Sequence, residues 1–109
     1  MRHAIGIDVG GTWIKALAVD ESGVVLADHA LPTGDDGTEG WKGRVVEAAA
    51  EVARIAGVAP AAHGVASPGM PSRDGYSIAS MPARLPGLEG QEWRERLGSP
   101  APVPVLNDA

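Results

Sequence analysis

The sequence predicts an α/β domain, a mixed β-sheet with helices packed on it, in the order βββ-α-β-(β)-α-β. Three observations carry this. Residues 3–31 form three apolar runs separated by glycine-containing turns. Residues 41–56 place their charges at helical spacing. Two later apolar runs, His63–Ser67 and Val103–Leu106, each end in a polar turn.

Taken in order, His3–Val9, Trp13–Val19 and Val24–Leu31 read as consecutive strands. A Gly10-Gly11 hairpin joins the first two and Glu21-Ser22-Gly23 the next two. Pro32–Gly40 is polar, rich in Gly and Asp, and reads as a loop. Over Trp41–Ala56, Arg44, Glu47, Glu51 and Arg54 recur 3, 4 and 3 residues apart, a solvated stripe opposite Val45, Ala49, Val52 and Ala56. Gly57 is the expected helix stop, with Pro60 beyond it. His63–Ser67 is then a short strand ending in a Ser67-Pro68-Gly69 turn, Tyr76–Ala79 the bracketed strand, Gly87–Gly90 a loop and Gln91–Leu97 a short helix. Prolines at 100, 102 and 104 leave the first residues of the last strand incompletely paired.

At 109 residues the chain is one small domain or a piece of a larger one. Its apolar share of 44% fits a globular protein rather than a disordered one. With no Phe, three Trp and one Tyr, the core must be built from Ala, Val, Ile and Leu. A net charge of −5 argues against nucleic acid or an anionic membrane as partner. Without cysteine there is no disulfide or thiolate metal site. Asp8 follows only a short apolar run, so the start reads as neither signal peptide nor membrane span, and a cytoplasmic protein is expected.

Two sites carry chemistry. In Asp8-Val9-Gly10-Gly11-Thr12, followed by Lys15, paired glycines can take φ > 0 and leave N–H groups unshielded by any Cβ. Such amides form a concave cradle for anionic oxygens, as a nucleotide phosphate requires. Thr12 adds a hydroxyl donor, Lys15 a cation, and Asp8 a hard carboxylate oxygen suited to Mg²⁺. An ordinary Gly-Gly hairpin accounts for those five residues equally well. The second site is Asn107-Asp108, just past the carboxyl end of the last strand, the edge where open α/β sheets bind ligands. Asp8 and Asp108 share one cleft if their strands run parallel. Read alone, Asp108 is as well a helix N-cap.

Other residues take structural readings. His3, His29 and His63 lack metal-ligand spacing and are assigned to surface or strand positions. Trp13 and Trp41 are read as packing residues, Trp93 as the anchor of an amphipathic helix, and Arg73-Asp74-Gly75 as a turn. Arg84 is read as a solvated loop arginine in preference to one reaching the cleft.

Three segments together resemble one family. Ile7-Asp8-Val9-Gly10-Gly11-Thr12-Trp13-Ile14-Lys15 resembles the first phosphate motif of the ROK sugar kinases, within the actin/hexokinase-like (ribonuclease H-like) ATPase superfamily. Gly64-Val65-Ala66-Ser67-Pro68-Gly69-Met70 is similar to that family's strand ending in a Pro-Gly turn. Pro102-Val103-Pro104-Val105-Leu106-Asn107-Asp108-Ala109 is similar to its strand leading into Asn-Asp-Ala. The three follow the family's order and cover nearly the whole chain.

The resemblance implies a glucokinase-like enzyme using ATP and Mg²⁺. In it Asp8 positions the metal, while Gly10, Gly11, Thr12 and Lys15 serve the nucleotide phosphates. Asn107 holds a sugar hydroxyl, Ser67, Pro68 and Gly69 lie near the sugar, and Asp108 is the catalytic base. Residues 1–109 would then be the N-terminal lobe, ending at the catalytic Asn-Asp. The family's Glu-x-x-His element, its Cys-rich zinc motif and its adenine-binding segment would lie in an absent C-terminal lobe. Little turnover is expected from this chain alone, and a homodimer is possible at full length. The chain departs from the family where many members have an Asn-Leu sugar contact; here it reads Ala79-Ser80-Met81-Pro82-Ala83-Arg84-Leu85-Pro86. Two other readings are a fragment of a sugar-responsive ROK transcriptional regulator and a non-catalytic binding lobe. The first is disfavoured by acidity and by the lack of room before Asp8 for a DNA reader. The second would show as aggregation or dimerisation through exposed apolar surface.

Overall fold

A computed structural model of the chain describes residues 2–57, 59–81 and 84–108. Its first half forms as the alternation dictates. Strands β1 (His3–Val9), β2 (Trp13–Asp20) and β3 (Val25–Pro32) make an antiparallel meander. In β1 the residues His3, Ile5, Ile7 and Val9 turn inward and the alternate ones outward. The β2–β3 turn is held by the Asp20 carboxylate, which accepts from Ser22 N, Ser22 Oγ and Val24 N. Gly23 supplies the positive φ of 88° that this turn needs.

Helix α1 (Trp41–Ala56) lies across the inward face of the meander. Trp41, Val45, Ala48, Ala49 and Val52 are buried on it, packed in one core with Ile5, Ile7, Val9, Ile14 and Ala16. Gly57 ends the helix in the left-handed conformation, as expected, donating its N–H to Ala53 O at 3.0 Å. Strand β4 (Ala62–Ser67) returns parallel to β1, and the last strand pairs parallel to β4 on its far side. The five-stranded sheet is mixed, and its one long helix sits on one face. The opposite face bears Gly6, Asp8, Lys15, Leu17, Gly64 and Leu106, covered by no described helix.

Five expectations are corrected. Between the turns expected at 67–69 and 73–75, no strand was expected, yet Met70–Pro71 forms β5, which pairs antiparallel with β6 (Ile78–Ser80) as a separate two-stranded sheet. The strand expected over Tyr76–Ala79 is thus shifted, because the Ser72–Ser77 turn consumes its first residues. Helix α2 is one turn, Arg94–Leu97, rather than Gln91–Leu97. The last strand, β7, is Val105–Asn107 rather than Val103–Leu106. Pro102 and Pro104 have no N–H to contribute; the Pro104 carbonyl accepts the Val65 N–H at 3.0 Å, and the strand itself begins at Val105. Trp13 is 49% exposed rather than packed, since alternation places it on the outward face with Lys15 and Leu17.

Trp41 and Trp93 are both buried, as expected, and meet edge to face with centroids 5.7 Å apart. Lys42, buried beside them, pairs with Glu39 at 2.6 Å and donates to Gln91 Oε1 at 2.8 Å, tying α1 to the 87–91 loop. His3 and His63 are strand residues and buried. Burial, and secondarily the nearby His3, pushes the His63 imidazole below its ordinary pKa of 6.5.

Candidate functional site

Strands β1 and β7 flank β4, and both run parallel to it. The three strands therefore end at one edge of the sheet, with Asp8 level with Ala66 and Ser67 level with Asn107. The parallel strands bring Asp8 and Asp108 to the same edge of the sheet. At ordinary strand spacing, β1 and β7 lie about 10 Å apart, with β4 between them. The turn Gly10–Thr12, the Ser67–Gly69 turn and Asn107-Asp108 all sit on this rim.

The glycine turn is held differently from expectation. Neither Gly10 nor Gly11 has positive φ. At Gly10, what excludes a side chain is space, whereas at Gly11 the neighbour is the far end of a flexible side chain. A Cβ on Gly10 would stand 2.9 Å from Trp13 O, the carbonyl that accepts the Gly10 N–H at 2.9 Å. A Cβ on Gly11 would stand 2.7 Å from Nη1 of Arg84. The Gly10 amide is spent on Trp13. The amides of Gly11 and Thr12 have no protein acceptor among the described residues. Two bare N–H groups in succession are what an anion cradle requires.

Thr33 fixes this turn from below. It is fully buried; its Oγ1 donates to Gly10 O at 2.7 Å and its N–H to Thr12 O at 2.9 Å. Sequence reading missed it as one more loop residue. The signal was the meander register, which sets Pro32 opposite Trp13 and so brings Thr33 beside Thr12. Thr33→Val, equal in size but lacking the donor, is expected to cost about 1–3 kcal/mol of unfolding free energy in urea titration. A cost below about 0.3 kcal/mol would mean the turn holds itself.

Asp8 lies within β1, one residue before its end, and Lys15 is its direct partner on β2. Both are exposed on the open face. Ser67 is fully buried, and its hydroxyl donates to Pro68 O at 3.0 Å. Its carbonyl accepts the Asp108 N–H at 3.0 Å. Gly69 has φ 100°, and a Cβ there would meet Ile78 Cγ2 at 2.7 Å and Ser80 O at 2.8 Å. Its carbonyl accepts Nδ2 of Asn107 at 2.5 Å. The Ser67–Gly69 turn thus braces Asn107 and Asp108 through its backbone, and both of those side chains are exposed at the rim. Ala109 lies outside the described residues, as do Pro82 and Ala83 of the segment that departs from the Asn-Leu pattern.

No three His, Cys, Asp or Glu side chains cluster as metal ligands among the described residues. A single exposed carboxylate such as Asp8 nevertheless fits Mg²⁺, which commonly takes one or two carboxylates and completes its shell with phosphate oxygens and water. No described helix is long and apolar enough to cross a membrane.

An antiparallel meander leading into parallel strands, with a glycine hairpin and an Asn-Asp pair on one rim, is the fold found in ROK family hexokinases and glucokinases, of the actin/hexokinase-like class. Solved structures carry the assignment. The chain matches the ROK hexokinase of Thermus thermophilus over 98% of its own length and 35% of that chain, at 31% identity and a TM-score of 0.74. It matches a ROK family glucokinase from Streptomyces griseus, solved with glucose and AMPPNP, over 98% and 33%, at 28% identity and a TM-score of 0.80. The inorganic polyphosphate/ATP-glucomannokinase of Arthrobacter sp. strain KM matches over 100% and 45%, at 29% identity and a TM-score of 0.79. The chain therefore spans between a third and a half of these relatives' length. No family model and no curated protein matches it.

Proposed function

We propose that this chain supplies the phosphate loop and the catalytic carboxylate of an ATP-dependent kinase acting on a hexose hydroxyl. The observation that carries the proposal is the meeting of the Gly10–Thr12 turn and Asn107-Asp108 on one rim. Phosphoryl transfer asks a protein mainly for alignment, charge compensation and a proton acceptor. The Gly11 and Thr12 amides, with the Thr12 hydroxyl and Lys15, take the phosphate oxygens. Asn107 orients the sugar hydroxyl, and Asp108 accepts its proton as the oxygen attacks the terminal phosphorus in line. Mg²⁺, when bound with the nucleotide, neutralises phosphate charge, and Asp8 is the residue placed to hold it.

The remaining sugar contacts, the adenine contacts and any zinc belong on this proposal to a C-terminal lobe. This chain alone then binds phosphate anions with little turnover. The Arthrobacter relative, named for both donors, keeps inorganic polyphosphate beside ATP as the phosphoryl source. Titration of the protein with Mg·AMPPNP, followed at the Gly11 and Thr12 amides, tests the proposal.

A further inference from the structure

We infer that Arg84 is a phosphoryl-binding residue of the glycine cradle, its guanidinium taking oxygens at the terminal end of a polyphosphate chain. The inference rests on the kinase proposal above. Its basis is the place of the side chain, with Nη1 2.7 Å from where a Gly11 Cβ would stand. The guanidinium thus lies over the glycine whose amide has no protein acceptor among the described residues.

The backbone beneath it is fixed. Leu85, the next residue, is 1% exposed and has φ 50°, a conformation costly for leucine that only firm packing sustains. Its N–H donates to Asp35 Oδ2 at 3.3 Å, and the Pro86 carbonyl accepts Nε1 of the buried Trp41 at 2.9 Å. Arg84 itself is exposed and makes no ion pair among the described residues, although the chain is acidic. An arginine bound for solvent would not need such an anchored base. A planar fork of N–H donors beside a bare backbone amide matches the tetrahedral oxygens of a phosphoryl group better than it matches a sugar hydroxyl.

That phosphoryl group comes from a nucleoside triphosphate or from inorganic polyphosphate, and the two are separable. The probes are inorganic tripolyphosphate and Mg·AMPPNP. The readouts are the Arg84 Nε–H resonance and dissociation constants for wild type, Arg84→Gln and Arg84→Lys. The Arg84 resonance is expected to shift saturably. Arg84→Gln is expected to weaken tripolyphosphate by about tenfold or more, with Arg84→Lys recovering part of the loss. Equal weakening of AMPPNP assigns Arg84 to a phosphoryl position that both donors share, while weakening of tripolyphosphate alone assigns it to inorganic polyphosphate. Unchanged affinities in Arg84→Gln, in a wild type that binds either probe, overturn the role of Arg84 and leave the kinase proposal standing. A wild type that binds neither, with the Gly11 and Thr12 amides unmoved, overturns both. Arg84 is exposed, so a thermal melt matching wild type is expected for each variant.

Discussion

On the proposed function, Asp108→Asn is expected to lower phosphoryl transfer to sugar by about 10²–10⁴-fold in the full-length protein, with sugar affinity largely retained. Asparagine keeps the size and one acceptor of the aspartate but cannot take the hydroxyl proton. Its backbone N–H still reaches the Ser67 carbonyl, so the rim should keep its shape. The loss should therefore appear in kcat, with little change in the sugar dissociation constant. Near-normal turnover would contradict the base assignment. A parallel loss of sugar binding would make Asp108 chiefly a substrate-holding residue.

Trp41→Ala is expected to remove about 3–5 kcal/mol of stability, a large share of what a domain of this size possesses. Trp41 is fully buried, meets Trp93 edge to face and donates Nε1–H to the Pro86 carbonyl. Truncation opens a cavity, removes the ring contact and strands that carbonyl. Trp41→Phe separates these terms, for it keeps most of the volume and loses the donor, at an expected cost of about 1–3 kcal/mol. Because Pro86 is two residues from Arg84, both variants should also loosen the guanidinium over Gly11. Urea unfolding read at Trp93 fluorescence checks the ordering. A Trp41→Ala cost below about 1 kcal/mol would deny Trp41 its role as the anchor of that loop.

The meander and α1 were legible because each rests on a local period. Residues of alternating character fell on alternating faces, and Trp41–Ala56 is the observed helix at both ends. The rim was legible too, as glycines and acids at strand ends. Contacts made between distant segments were not. Met70–Pro71 is a strand only because Ser80 returns beside it. Thr33 matters only through the register of two hairpins. Arg84 stands over Gly11 because an indole 45 residues from Pro86 in sequence holds the intervening loop in place. The glycines of the turn were found for a partly mistaken reason, since neither has positive φ and it is close approach to the Trp13 carbonyl that requires Gly10. Trp13 was read as a packing residue, when strand parity already placed it outside.

The proposed function requires the bare amides of Gly11 and Thr12 to receive a nucleotide's phosphates. The measurement that tests it most directly is a titration of ¹⁵N-labelled protein with Mg·AMPPNP, followed at every backbone amide. Saturable shifts centred on Gly11, Thr12 and Lys15, with the α1 amides from Val45 to Val52 unmoved, are the expected result. Shifts centred elsewhere, or none at a concentration that saturates a ROK glucokinase, would contradict it.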